Sequence, residues 1–186
     1  MPKKLIISTL VAVALAISGL LAAASPFTLR SAQFSEGKNL PLSMVYRGYG
    51  CTGNNISPEL NWSGEPAGTK SYAITFFDPD ASTGVGWWHW TIFNIPGNVH
   101  KLAANVGKPG TNLAPSGSKQ GYTDYGNSEY GGPCPPPGDS HGYVFTIYAL
   151  NVNSLPIGSE ATGAMLNVSM KEHILAKATL KGRYGQ

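Results

Sequence analysis

The sequence predicts a mainly β fold, a sandwich of sheets, with one helix near the C-terminal end. Three observations predict it. Short runs rich in β-branched and aromatic residues recur along the chain, among them SYAITFF, HWTIFNI and YVFTIYAL. Long stretches rich in glycine, proline and asparagine separate them; the chain holds 23 glycines and 14 prolines in 186 residues. Only one segment, near residues 159–177, spaces its apolar residues at a helical period.

The first 24 residues read as an address. Lys3 and Lys4 precede an almost wholly apolar run from Leu5 to Leu21, and Ala22, Ala23 and Ala24 follow. This is the pattern of a secretory signal peptide with cleavage after Ala24, leaving residues 25–186 as a single domain with no stable membrane span. No cysteine lies near that point, which argues against a lipid anchor on cysteine. The implied location is periplasmic or secreted. Loss of Lys3 and Lys4 lowers the net charge from +3 to +1, and the remaining Lys and Arg are scattered singly. Nucleic-acid binding, which needs clustered cations, is disfavoured.

Beyond the leader, strands are predicted at Phe27–Phe34, Leu42–Tyr46, Ser71–Phe77, His89–Ile95 and Tyr143–Leu150. The last three are nearly continuous in apolar character, as expected of strands buried on both faces. The helix follows over Ser159–Lys177, with Ser159 or Thr162 as N-cap and Gly163 weakening its first turn. A short strand, Thr179–Tyr184, closes the chain. The loops 46–60 and 106–140 are long for a compact domain, and such loops tend to be functional. Cys51 and Cys134 are an even pair in an exported chain, so a disulfide is expected between them.

Composition and motifs exclude several classes. With only 12% charged and 42% hydrophobic residues, the chain is neither a charged disordered tail nor a coiled coil. It lacks the phosphate-binding loop and the nucleophile elbow, and Gly84-Val85-Gly86 lacks the third glycine of a dinucleotide fingerprint. His89, His100, His141 and His173 share no metal-like spacing. Neither cofactor nor metal is expected.

Three polar clusters remain, each at a predicted strand end. Asp78-Pro79-Asp80 closes the first of the buried runs, because Pro79 cannot donate to a ladder. Trp87-Trp88-His89-Trp90 opens the second. Gly131-Gly132-Pro133-Cys134-Pro135-Pro136-Pro137-Gly138, followed by Asp139-Ser140-His141-Gly142-Tyr143, leads into the third. If the three strands are neighbours, two imidazoles, two carboxylates and a phenol converge on one spot walled by tryptophan and proline.

In sequence order, D-P-D-A, G-W-W-H-W and P-P-x-G followed by H-x-Y resemble the phosphatidylethanolamine-binding protein family, more closely its bacterial Raf-kinase-inhibitor-like branch. The segments N-x-S-P-E-L-x-W (Asn55–Trp62) and L-A-x-A-x-L-x-G-x-Y (Leu175–Tyr184) match as well, and the resemblance spans about residues 27–184. It implies the family's β-sandwich with a C-terminal helical element, and a small pocket for phosphate, acetate or phosphoryl head groups. On the matching positions the pocket residues are Asp78, Asp80, Trp87, His89, Pro135, Pro136, His141 and Tyr143. It also implies a binding protein rather than an enzyme, one that inhibits or modulates a protein partner such as a kinase or protease.

The chemistry of these residues agrees. Imidazole and phenol can donate to phosphoryl oxygens, more strongly when the imidazole is protonated. A zwitterionic head group, phosphate beside amine, suits such a mixed pocket. Two positions depart from the family pattern: Gly142 stands where Arg is common, which removes a cation beside the pocket, and Ser82 stands where Pro is common. The Cys51–Cys134 bridge is expected to pin the proline loop beside the N-I-S-P segment. The alternatives are an acid/base hydrolase using Asp78 with His89 or His141 and a nucleophile such as Ser57 or Ser140, or a cell-surface interaction protein whose pocket is vestigial.

Overall fold

The structure, a computed structural model, describes residues 25–186; the expected signal peptide lies outside the described residues. Eleven strands and one short helix follow in order: β1 (Thr28–Arg30), β2 (Lys38–Asn39), β3 (Arg47–Gly48), β4 (Cys51–Thr52), β5 (Leu60–Ser63), β6 (Ser71–Asp78), β7 (Trp87–Pro96), β8 (Lys101–Leu102), β9 (Lys119–Gln120), β10 (Ser140–Leu150), α1 (Gly163–Met170) and β11 (Ile174–Gly185). A six-stranded sheet runs β2-β11-β10-β6-β7-β9; all its pairs are antiparallel except β11 with β2. A three-stranded antiparallel sheet, β1-β5-β8, and the β3-β4 hairpin complete the β structure.

The central strands are buried on both sides, as their continuous apolar runs require. On β6, Tyr72, Ile74 and Phe76 enter the main core with Leu29, Leu60, Trp62 and Leu102 of the small sheet. Ala73, between them, enters a second cluster with Phe93, Leu155, Leu166 and Met170, and so packs beneath α1. This alternation is the period of two that a strand imposes. Phe76 anchors the main core: its ring stacks on Phe145 at 3.9 Å and lies parallel to Tyr130 at 5.7 Å.

The mainly β class and the single C-terminal helix hold, but several element bounds are corrected. Leu42–Tyr46 is not a strand: Met44 N donates to Pro41 O and Val45 N to Leu42 O, so the chain turns tightly while burying Met44 and Val45. The strand expected over Phe27–Phe34 is only Thr28–Arg30, because the Ser31 hydroxyl accepts from Gln33 N and bends the chain away. Leu60–Ser63, which was not anticipated, is a strand. The helix spans Gly163–Met170 rather than Ser159–Lys177. Lys171–His173 continue it as a 3-10 turn, and from Ile174 the chain belongs to β11, where Ala176, Ala178, Leu180, Gly182 and Tyr184 turn inward at a period of two and pair along the whole of β10.

Thr162, not Ser159, is the N-cap: its Oγ1 accepts from Met165 N at 3.3 Å. Thr162→Ala is therefore expected to cost about 1 kcal/mol in chemical denaturation. An unchanged midpoint would show that the cap carries no stability. Gly163 opens the helix for want of room, since a Cβ there would lie 2.2 Å from the Trp88 ring.

Candidate functional site

The three polar clusters meet at one end of the large sheet, where β6, β7 and β10 lie side by side. Asp78 is the last residue of β6 and is 3% exposed. His89 stands near the start of β7 at a bulge: Phe76 pairs with Trp90 and Phe77 with Trp88, which leaves His89 without a partner on β6. A bulge re-aims its side chain and frees its backbone. His89 O accordingly accepts from Gly131 N at 2.9 Å. His141 and Tyr143 lie on β10, two residues apart and therefore on one face, and both are buried.

Asp78 is the hub. Its Oδ2 accepts from His141 Nδ1 at 2.8 Å and lies 3.9 Å from His89 Nε2. Its Oδ1 accepts from Asp80 N at 2.9 Å. Burial pushes the Asp78 carboxyl up, but the two histidines beside it outweigh burial and hold it below the usual carboxylate range. It is ionised at neutral pH. Burial, with the Asp78 charge next in importance, pushes the Tyr143 phenol far above its ordinary value, so it stays protonated.

A cavity of about 340 Å³ opens at this cluster. Asp78, Trp87, His89, Pro135, Pro136 and His141 line it, and so do Tyr49, Tyr125 and the Ala81–Thr83 loop. Asp80 and Tyr143 are not on its wall. Asp80 braces the site from behind, its Oδ2 accepting from Gly142 N at 2.7 Å. Tyr143 packs 5.3 Å from the His89 ring, edge to face. Three buried polar atoms here have no hydrogen-bond partner: His89 Nε2, Trp87 Nε1 and Tyr143 Oη. Unpartnered buried polar atoms are uncommon, and each calls for an explanation.

A larger groove of about 630 Å³ lies between the 27–36 segment and β11. No histidine or buried carboxylate lines it, so the smaller cavity is the chemically equipped one.

Loop 106–140 holds the pocket through defined bonds despite its lack of periodicity. The Cys51–Cys134 disulfide is present and joins the proline loop to the β3–β4 hairpin. The N-I-S-P segment grips the same loop separately: Asn55 Nδ2 donates to Tyr130 O at 3.0 Å, and Asn55 Oδ1 accepts from Gly132 N at 2.7 Å. Tyr130 Oη, buried, donates to Met44 O. Pro135 and Pro136 are thereby set against the histidines.

Tyr49 and Tyr125 escaped sequence reasoning. Their rings stack with Tyr46, Tyr46 and Tyr125 only 4.2 Å apart. Tyr49 sits at a hairpin tip with φ 52°, between Gly48 and Gly50, and no motif signalled it. The Gly131 and Gly132 carbonyls, both bonded to His89 Nδ1, were also missed as working groups. Of the two serines considered as nucleophiles, Ser57 is occupied by Gly107 N, and neither Ser57 nor Ser140 lines the cavity. Gly142 lies opposite Arg183 on β11, whose guanidinium reaches the Ser140 carbonyl rather than the cavity wall.

Comparison with known proteins agrees with this architecture. The family model described as phosphatidylethanolamine-binding protein matches residues 30–185. The chain is 42% identical to YbcL of Escherichia coli over 98% of each chain, and 40% identical to YbhB of the same organism over 84% of this chain and 98% of that one. It is 34% identical to LppC of Mycobacterium tuberculosis, described as a lipoprotein, over 87% of this chain and 74% of that one. The crystal structure of YbcL, described as a new member of the mammalian family, superposes with a TM-score of 0.85 at 41% identity, covering 87% of this chain and 99% of that one. A strand order, a sheet-end pocket and relatives over nearly its whole length thus agree, and the chain belongs to the phosphatidylethanolamine-binding protein family.

Proposed function

We propose that this chain is an exported binding protein whose pocket takes a small phosphoryl head group, phosphoethanolamine-like or a simpler anion, and whose pocket mouth engages a protein partner that it modulates or inhibits. The observation that carries this reading is the pair of unpartnered polar atoms on residues that line a cavity of ligand size, His89 Nε2 and Trp87 Nε1. Trp87 offers a hydrogen to a phosphoryl oxygen, and the histidines join it when protonated. Export is supported by the basic and apolar N-terminal sequence, by the disulfide, and by similarity to a protein described as a lipoprotein. Among the described residues no helix is long and apolar enough to cross a membrane.

Titration with phosphate and phosphoethanolamine, followed by the ring signals of His89 and His141, tests the pocket. Both histidines are expected to shift together and saturate with millimolar or tighter ligand. Unmoved signals for both would defeat the phosphoryl reading.

A further inference from the structure

The groove of about 630 Å³ has a strand edge for one wall. β10 covers one edge of β11 along its whole length, whereas β2 covers the other only at Gly182 and Arg183. Around that short pairing the outward backbone is engaged. Lys181 O accepts from Gly37 N and Arg183 O from Leu40 N, both at 2.8 Å, and Lys181 N donates to Glu36 Oε2 at 2.9 Å. Backbone direction alternates along a strand, so Lys177 and Thr179 point their N–H and C=O groups the same way as Lys181. Both line the groove, and among the described residues no strand or loop answers them there. Glu36 closes this edge at Lys181 and leaves the stretch before it open.

Basic residues that are scattered singly in the sequence gather at this edge. Exposure alternates along β11, and Lys177, Thr179, Lys181 and Arg183 share its outward face. Arg30 of β1 lines the same groove. Among the described residues Arg30, Lys177 and Lys181 form no ion pair. The one carboxylate in the groove lining, Glu36, is already taken by Lys181 N. Beneath, Leu29, Phe34 and Leu180 form an apolar floor continuous with the main core. A second copy suits the edge poorly. Two β11 strands paired antiparallel about Thr179 would set Lys177 opposite Lys181, like charge against like.

We propose that the open edge of β11 takes an extended segment of a partner protein by strand addition, one in which acidic and apolar residues alternate. Antiparallel pairing exchanges both backbone bonds at Lys177 and again at Thr179. Acids opposite these two residues lie on the outward face, one directly across from Lys177 and the other diagonal to Lys177 and Lys181. The residues between them turn toward the apolar floor. This surface is separate from the sheet-end pocket and does not depend on the phosphoryl reading.

The test is titration of the purified, nitrogen-15-labelled protein with the peptide acetyl-Thr-Val-Glu-Val-Glu-Val-Thr-amide, followed by amide spectra and hydrogen exchange. In the free protein the Lys177 and Thr179 amides are expected to exchange as exposed groups. With the peptide they should shift, saturate at millimolar or tighter concentration and gain at least about tenfold protection. Exchanging both glutamates for lysine should weaken binding about tenfold, since attraction becomes repulsion at two positions. N-methylation of both glutamates removes the donors and should abolish binding. Thr179→Pro removes an outward N–H that no bond of the fold uses, so the fold should stand while binding is lost. If that variant fails to fold, the N-methylated peptide carries the same test. Unmoved Lys177 and Thr179 amides, an N-methylated peptide as tight as its parent, or a lysine peptide as tight as the acidic one would each overturn the proposal. So would protection of these amides in the free protein: protection that grows with protein concentration puts a second copy on the edge, and protection that does not puts a segment of this same chain there.

Discussion

Asp78→Ala is expected to destabilise the protein by roughly 1–3 kcal/mol, because the buried His141 Nδ1 loses its acceptor. Asp80 N, on an exposed residue, loses its bond to Asp78 Oδ1 as well, at a smaller cost because water can replace it. Asp80 in turn orients Gly142 N on β10, so the loss propagates from β6 to the neighbouring strand. Asp78→Asn keeps an acceptor oxygen and should lose much less stability while still disturbing the His141 tautomer. The charge has its own signature in pH. Since the folded carboxyl is held below its ordinary value, ionised Asp78 stabilises the fold in full above the unfolded value of about 3.9. That contribution fades as pH falls through the folded value. Urea unfolding from pH 6 down to pH 2 should therefore show the native protein losing stability faster than Asp78→Asn. Parallel curves, or an alanine variant with the native midpoint, would show that Asp78 is no hub.

The reach of the sequence differs between backbone and site. Runs such as SYAITFF and YVFTIYAL are strands because β-branched and aromatic residues fit a buried pleated layer, and no other reading of them competes. The 174–177 stretch was ambiguous, since Ile174 and Lys177 fit a helical period while Ala176, Ala178 and Leu180 fit a strand; pairing along β10 decides it, and pairing is a non-local fact. The motif histidines and Asp78 could be gathered at one sheet end from strand ends alone. The bulge that singles out His89 could not, because it exists only in the register between two strands. Tyr49 and Tyr125 were invisible for a related reason. They reach the pocket from a hairpin tip and a loop whose paths depend on the Cys51–Cys134 bond and the grip of Asn55, neither of which has a periodic trace.

Gly132→Ala is expected to have a still larger effect, above about 4 kcal/mol, or to leave no folded protein. The glycine-proline run 131–138 reads as a stiff loop in which any glycine could serve, yet the structure makes Gly132 unlike its neighbours. A Cβ there would lie 1.9 Å from Met44 O and 2.6 Å from Tyr46 N, both backbone atoms that cannot swing aside. The positive φ that excuses many glycines does not apply; the constraint is contact between two chains of backbone. Moving the loop outward is no escape. Gly132 N donates to Asn55 Oδ1, and Gly132 O accepts from Tyr125 Oη at 2.8 Å and from His89 Nδ1 at 3.1 Å. Relief of the clash would thus cost the loop anchor, a pocket-wall tyrosine and part of the bond that sets the His89 tautomer. Gly138→Ala in the same loop is the control: φ is 90° and a Cβ would meet nothing within 4 Å, so only backbone strain of about 1–2 kcal/mol is expected. Thermal unfolding of the two variants side by side tests the argument, and Gly132→Ala as mild as Gly138→Ala would refute it. The glycine that makes the pocket possible is then the one with the least room, since the backbone contact that excludes a methyl group is also what carries the Gly132 carbonyl to His89.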